Sequence, residues 1–185
     1  MNSWSKKRSV MRRYNLTAQM YDDRYRAEQE AKYKTALEGL NLNCNSVVLD
    51  VGCGTGLFFR HMANNGDLVV GVDVSRQLLL LAKDRIREHG NVFVVLADAD
   101  HLPFKPQVFE FTFAFTVLQN MPKPVETLKQ LVAVSTHDAF FVVTWLKAAV
   151  SLEVFGELLE DAGLQVVSFR NDDSLRCHVV RRVKR

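Results

Sequence analysis

The sequence predicts an α/β protein built on a doubly wound seven-stranded sheet, five parallel strands followed by an antiparallel hairpin. Three observations predict it. From Val47 onward, apolar runs of strand length alternate with segments of helical composition. The first run, Val47-Val48-Leu49-Asp50-Val51, breaks into Gly52-Cys53-Gly54-Thr55-Gly56, the strand and glycine turn that open a nucleotide-binding βαβ unit. The last two apolar runs alternate in polarity and are joined by a short polar stretch, as in a hairpin. Right-handed βαβ crossovers convert such an alternation into a doubly wound sheet.

Composition sets the bounds. The chain has 185 residues, 48% hydrophobic and 24% charged, with a net charge of +3. That suits one domain, residues 1–185, with a basic tail and helical segment over 1–40 and a core over 46–185. The small positive excess does not by itself demand a nucleic-acid partner. Three cysteines, Cys44, Cys53 and Cys177, with no Cys-x-x-Cys pair, argue against a disulfide framework and against a metal site. No apolar run approaches the ~20 residues of a membrane span, and the N-terminus lacks the apolar centre of a signal peptide. A cytoplasmic location is expected, and no membrane partner. Neither repeats nor low-complexity blocks occur.

Residues Lys6 to Arg13 carry five basic side chains. They read as a solvated, partly disordered tail, or else as a contact for a polyanion such as RNA. Thr17 to Leu40 has helical composition, with apolar surface from Met20, Tyr21, Tyr25 and Tyr33. Asn41 to Asn45 is a polar linker. After the glycine turn, Leu57 to Asn64 is expected as a helix whose start offers free N–H groups to an anion, and Asn65-Gly66-Asp67 as a turn. Leu68 to Asp73 is the second strand. Asp73 lies about twenty residues past the glycine turn, where an acid able to accept from two ribose hydroxyls is expected. Ser75 caps a helix running to His89 and closed by Gly90. Asn91 to Leu96 is the third strand, leading to Asp98, with Asp100 and His101 as loop residues facing water. Val108 to Val117 is the fourth. Ligands of such sheets lie at the carboxyl ends of the strands. Phe115 and Thr116 are therefore expected to border the ligand and Gln119 and Asn120 to face its pocket, Asn120 reading equally well as a turn residue. Pro124 to Ser135 is a helix with proline in its first turn. Ala139 to Trp145 is the fifth strand and Ser151 to Ala162 an amphipathic helix. Leu164–Phe169 and Leu175–Val183 form the hairpin across Asn171–Ser174, and Arg181 to Arg185 a solvated edge.

The glycine spacing narrows the ligand. Dinucleotide sites use Gly-x-Gly-x-x-Gly; here Leu57 stands where the third glycine would be. Asp50, at the strand end, is a poor neighbour for a pyrophosphate and a good one for an ammonium group. Val48-Leu49-Asp50-Val51-Gly52-Cys53-Gly54-Thr55-Gly56 resembles the first motif of the class I S-adenosylmethionine (SAM)-dependent methyltransferases. Asp98-Ala99 with Leu102-Pro103-Phe104 resembles that family's loop after the third strand. Tyr14 through Tyr25 resembles its Tyr-Asp lid, and Phe109-Glu110 replaces its usual Phe-Asp. The resemblance implies a Rossmann-like fold with SAM as cofactor. It implies contacts from Tyr14, Asp50, Gly52, Cys53, Gly54, Thr55 and Gly56, ribose held by Asp73 beside Val74, and adenine held by Asp98 and the Ala99 N–H. Phe115 and Thr116 complete the set, and the lid covers the cofactor and builds part of the acceptor pocket.

A sulfonium methyl is already activated, so such a site mainly aligns a nucleophile and excludes water. The Asn/Asp-Pro-Pro-Tyr tetrapeptide of adenine-amine methylation is missing, and so is the Pro-Cys pair of covalent cytosine chemistry. Candidate orienting groups are Tyr21, Tyr25, Gln119, Asn120 and His101. A small-molecule acceptor is favoured over RNA or protein. A nicotinamide oxidoreductase fits neither the spacing nor Asp50; a non-catalytic SAM-binding protein would share these motifs. A closed apolar pocket under the N-terminal segment would point to a small molecule, and an open basic groove to RNA or protein.

Overall fold

The computed structural model describes residues 3–40, 45–63, 67–170 and 172–184. Two helices lead: α1 (Ser3–Thr17) and α2 (Tyr21–Leu37), joined by a 3-10 turn over Ala18–Met20. The core follows as β1 (Val47–Val51), β2 (Leu68–Asp73), α3 (Arg76–Arg85), β3 (Val92–Leu96), β4 (Phe109–Phe115), α4 (Pro124–Val134), β5 (Ser135–Leu146), α5 (Leu152–Asp161), β6 (Leu164–Arg170) and β7 (Cys177–Lys184). The seven strands form one sheet in the order β3-β2-β1-β4-β5-β7-β6. β1 to β5 pair in parallel, and β7 runs antiparallel to both β5 and β6. Rossmann-like topology and the terminal hairpin are therefore both present.

Strand alternation divides the core between the two faces. Leu49, Phe141, Val143 and Trp145 bury toward α4 and α5, where Leu128, Leu131, Phe155 and Leu159 meet them. Val48, Phe113, Phe115 and Val142 bury on the other face, against Phe58, Phe59 and Tyr33. Local sequence sets the helix ends: the Ser75 hydroxyl accepts from Leu78 N–H, Ser151 accepts from Val154 N–H, and Pro124 stands in the first turn of α4.

Four expectations are corrected. The basic stretch from Lys6 to Arg13 is not a disordered tail; it lies within α1, whose Lys6 and Lys7 turn inward onto the core. The segment after the glycine turn is not an α-helix. Its described residues form turns and a short 3-10 helix over Phe59–His61. Leu57, Phe58 and Phe59 are all buried in succession, which a helix with one buried face cannot arrange. A Cβ on Gly56 would stand 2.6 Å from the Phe59 ring, so the chain winds that ring over the bare glycine. No helix N-terminus is thus offered to an anion. The helix capped by Ser75 stops at Arg85, short of Gly90. Finally, β7 is an interior strand, and Arg181 is only 5% exposed rather than solvated. Its guanidinium donates to the carbonyls of Ala36 (2.7 Å) and Glu38 (2.6 Å). These are C-terminal carbonyls of α2 that lack helical partners, and a cation suits that end of the dipole. The expected turn at Asn65-Gly66 and the linker from Asn41 to Cys44 lie outside the described residues.

The chain's two tryptophans sit apart: Trp145 is buried edge-on to Phe155, whereas Trp4 stands on α1, 59% exposed.

Candidate functional site

Strand order reverses between β1 and β4, and a crevice opens there at their carboxyl ends. It holds about 760 Å³ of space, its mouth included, within the range of small-molecule sites. β1 and its turn bring Val51, Gly52 and Gly54; β2 brings Val72, Asp73 and Val74; the loop after β3 brings Ala97, Asp98 and Ala99. β4 and the following turn bring Phe115, Thr116, Val117, Asn120 and Met121, and the N-terminal helices roof it with Lys7, Val10, Tyr14 and Tyr21.

The glycine turn is shaped by left-handed backbone. Gly52 has φ +68°, and a Cβ there would stand 2.5 Å from a Val117 methyl. Gly54 has φ +57°, and the first atom a Cβ would meet is the Tyr21 ring at 3.8 Å. The turn thus leaves a shallow space under Tyr21, which a side chain would fill. Gly54 N–H donates to Asp73 Oδ2 at 3.0 Å, and Ser75 N–H donates to its Oδ1 at 2.8 Å. Burial raises the Asp73 carboxyl above its ordinary value, with these N–H groups opposing the shift.

A second, smaller cavity adjoins the first. Asp50, Gln29, Tyr33, Cys53, Thr55 and Leu57 surround it, with Gly52, Tyr21 and Phe115 shared between the two. Asp50 is 2% exposed, and its Oδ2 has no hydrogen-bond partner among the described residues. Burial, then the Asp73 charge, pushes its carboxyl well above the usual range. Gln29 donates from Nε2 to Tyr21 Oη at 3.2 Å, while its buried Oε1 is likewise unpartnered. Two orphaned acceptors facing one cavity ask for a donor. Burial raises the Cys53 thiol and the Tyr21 phenol well above their ordinary values, so neither is a nucleophile or base near neutral pH.

The roof is tied to every loop beneath it. Lys7 Nζ bonds Asp98 Oδ2 at 2.6 Å and also pairs with Asp100. Burial works to raise the Asp98 carboxyl, but the Lys7 bond and the Asp100 N–H hold it below its ordinary value. Asn15 Oδ1 accepts from Ser75 Oγ (2.7 Å) and from Gln77 N–H (3.1 Å). Asp22 accepts from Thr55 Oγ1 (2.6 Å) and from Arg85 (2.5 Å). Lys6 Nζ donates to Met121 O at 2.8 Å.

The expected residues divide accordingly. Tyr14, Gly52, Gly54, Asp73, Val74, Asp98, Ala99, Phe115 and Thr116 line the main cleft, together with Tyr21 and Asn120. Asp50, Cys53 and Thr55 line the small cavity. Gly56 lines neither; it receives the Phe59 ring. Tyr25 packs against Tyr21, ring centroids 5.1 Å apart and tilted, outside the cleft. Gln119 turns back, its Nε2 on Thr116 O at 2.5 Å, because the turn over Leu118–Asn120 points it inward. His101 faces water, 82% exposed. Asp100 does not: Lys7 and Thr127 hold it. Sequence reasoning missed Lys7, Val10, Asn15 and Gln29. Lys7, Val10 and Tyr14 do fall on one helical face, a stripe obscured by the surrounding arginines.

Comparison with known proteins decides the family: residues 49–143, just over half of the chain, match the methyltransferase domain. The chain belongs to that family. The methyltransferase is 29% identical over 148 residues to the malonyl-[acyl-carrier protein] O-methyltransferase of Marinomonas sp. (strain MWYL1), covering 79% of this chain and 54% of that protein. It is 31% identical over 102 residues to the demethylmenaquinone methyltransferase of Staphylococcus saprophyticus, covering 53% of this chain and 43% of that one. It spans about half the length, or less, of these curated relatives. Its fold matches the crystal structure of a SAM-dependent methyltransferase from Aquifex aeolicus with a TM-score of 0.81 at 21% identity, over 92% of this chain and 98% of that one. The class I methyltransferase fold follows, and SAM is the cofactor named for the matched structure. The residues present fit that cofactor. A bare glycine turn leaves room under Tyr21, an orphaned buried carboxylate awaits an ammonium group, and acids stand at the ends of β2 and in the loop after β3.

Proposed function

We propose that this methyltransferase transfers the SAM methyl group to a small-molecule acceptor. The observation that carries the reading is the roof. α1 crosses the cleft rather than leaving a groove, and its Lys7 is neutralised by Asp98 and Asp100 instead of being offered to a polyanion. Arg181, whose side chain is described within the basic C-terminal stretch, is buried under α2. The names of the two curated relatives agree with acceptors other than nucleic acid.

When bound, SAM supplies a methyl group on a sulfonium, already activated toward a nucleophile. Asp50 and Gln29 accept from its ammonium end, Asp73 from its ribose hydroxyls, and Asp98 with the Ala99 N–H holds its adenine. Tyr14, Tyr21, Thr116 and Asn120 border the acceptor side, orient the nucleophile and exclude water. With the Tyr21 phenol protonated, alignment rather than proton abstraction is the contribution of these residues.

Calorimetry tests the cofactor site. Asp73→Ala should weaken SAM by about 1–3 kcal/mol for each hydroxyl left without an acceptor. Unchanged affinity would remove Asp73 from the site. Methyl-labelled SAM incubated with separated small-molecule, RNA and protein fractions tests the acceptor class. Label is expected among small molecules, and label in RNA at near-physiological salt would overturn the reading.

A further inference from the structure

The acceptor side of the cleft carries a charge that the proposed transfer does not use. Arg13 Nη2 donates to Asn120 Oδ1 at 3.0 Å, and its guanidinium lies over the Tyr14 ring, 4.9 Å from the centroid. Asn120 in turn donates to Tyr14 Oη and Thr116 O, each at 3.4 Å. Two cleft residues therefore fix this exposed guanidinium at the mouth.

Its surroundings differ from those of four other cations of the roof and the core beneath it, each of which meets a carboxylate. Lys7 ends on Asp98 and Asp100, Arg85 on Asp22, Arg60 on Glu30 and Lys32 on Glu28. Among the described residues no carboxylate pairs with Arg13, and α1 itself contains no acid. Lys6, two turns earlier on the same helix, ends on the neutral Met121 carbonyl. Arg13 spends one donor on Asn120 and keeps the rest of its fork free. Away from it runs an aromatic ladder, Tyr14 to Tyr21 at 6.2 Å and Tyr21 to Tyr25 at 5.1 Å. It ends at exposed apolar surface, with Tyr25 38% and Met20 51% exposed. A cation with no counter-ion beside an apolar rim fits one ligand shape.

We propose that the acceptor is amphipathic, with an oxyanion group paired to Arg13 and an apolar body laid along Tyr21 and Tyr25. This rests on the small-molecule methyltransferase reading and names its substrate class. The probes are octanoate, octyl phosphate and octanamide, titrated into protein saturated with S-adenosylhomocysteine. At least one anion should bind about tenfold or more tighter than the amide, the worth of one charge-assisted pair. Arg13→Gln should reduce that preference to about twofold or less, and Arg13→Lys should retain part of it. Carboxylate and phosphate sources are told apart by which anion binds tighter. An equal affinity for all three probes, no binding of any up to ~10 mM, or a preference that survives Arg13→Gln overturns the proposal. Titrating S-adenosylhomocysteine first separates the two readings. If it does not bind, the methyltransferase reading fails; if it binds and the anion preference is missing, only this one does.

Discussion

Asp50 is a carboxylate whose charge works against the fold that holds it. Its Oδ2 is buried and unpartnered, and burial raises its folded pKa well above the unfolded value of 3.8. Between those values the native state binds more protons than the unfolded chain does. Stability is therefore lost as pH rises from about 4 through this window. Asp50→Asn should melt above the wild type at pH 7, by at least about 1 kcal/mol or ~2–4 °C, while binding SAM more weakly. The difference should close below about pH 4, where Asp50 is neutral. Scanning calorimetry of both proteins at the two pH values checks this; a wild type that melts higher at pH 7 would mean that Asp50 has a partner before ligand arrives. Asp50 was legible in the sequence because a lone acid in an apolar strand breaks the pattern. Gln29 was not, since a glutamine in a helix is ordinary and only the fold reveals that its side chain is buried and half-satisfied.

At the scale of elements, the sequence reads best where one strand or helix carries its own pattern. β2 has the expected bounds, and α4 and α5 begin at their expected Pro124 and after Ser151. It reads worst where an element's state depends on a distant partner. Phe58 and Phe59 follow their glycine turn into the core because Tyr33 of α2 packs there, 5.1 Å from Phe58 and 4.8 Å from Phe115. The same contact divides the N-terminal helices, of which the stretch from Tyr14 through Tyr25 resembles a lid. α1 is roof, whereas the second half of α2, with Tyr33 and Ala36 buried, is core. Removing residues 1–20 should therefore leave a folded protein that holds SAM poorly. Removing 1–33 should cost about 3–5 kcal/mol more, the range for deleting a buried aromatic. Circular dichroism melts of the two truncations decide it; equal melting points would place all of α2 outside the core.

For the whole molecule, the antiparallel end of the sheet does more than close it. β7 lies between β5 and β6, so Arg181 reaches α2 from inside the sheet and clamps its last carbonyls. Arg181→Met keeps the stem and removes the donors, leaving buried carbonyls unpaired. It should lower stability by about 2 kcal/mol, seen as a lower denaturation midpoint with an unchanged denaturant slope. The end of α2 is thus fixed, whereas α1 has no buried residue and is tied to the core by polar bonds. Trp4 rides on that helix in water, and the other indole, Trp145, is sealed in the core. The protein accordingly carries its own optical gauge. In a Trp145→Phe background all indole emission comes from α1. Its intensity should change on adding S-adenosylhomocysteine and saturate at the affinity found by calorimetry. Followed after rapid mixing, the same signal would time each opening and closing of the roof, with no acceptor yet in hand; emission indifferent to ligand would mean that α1 stays where it is.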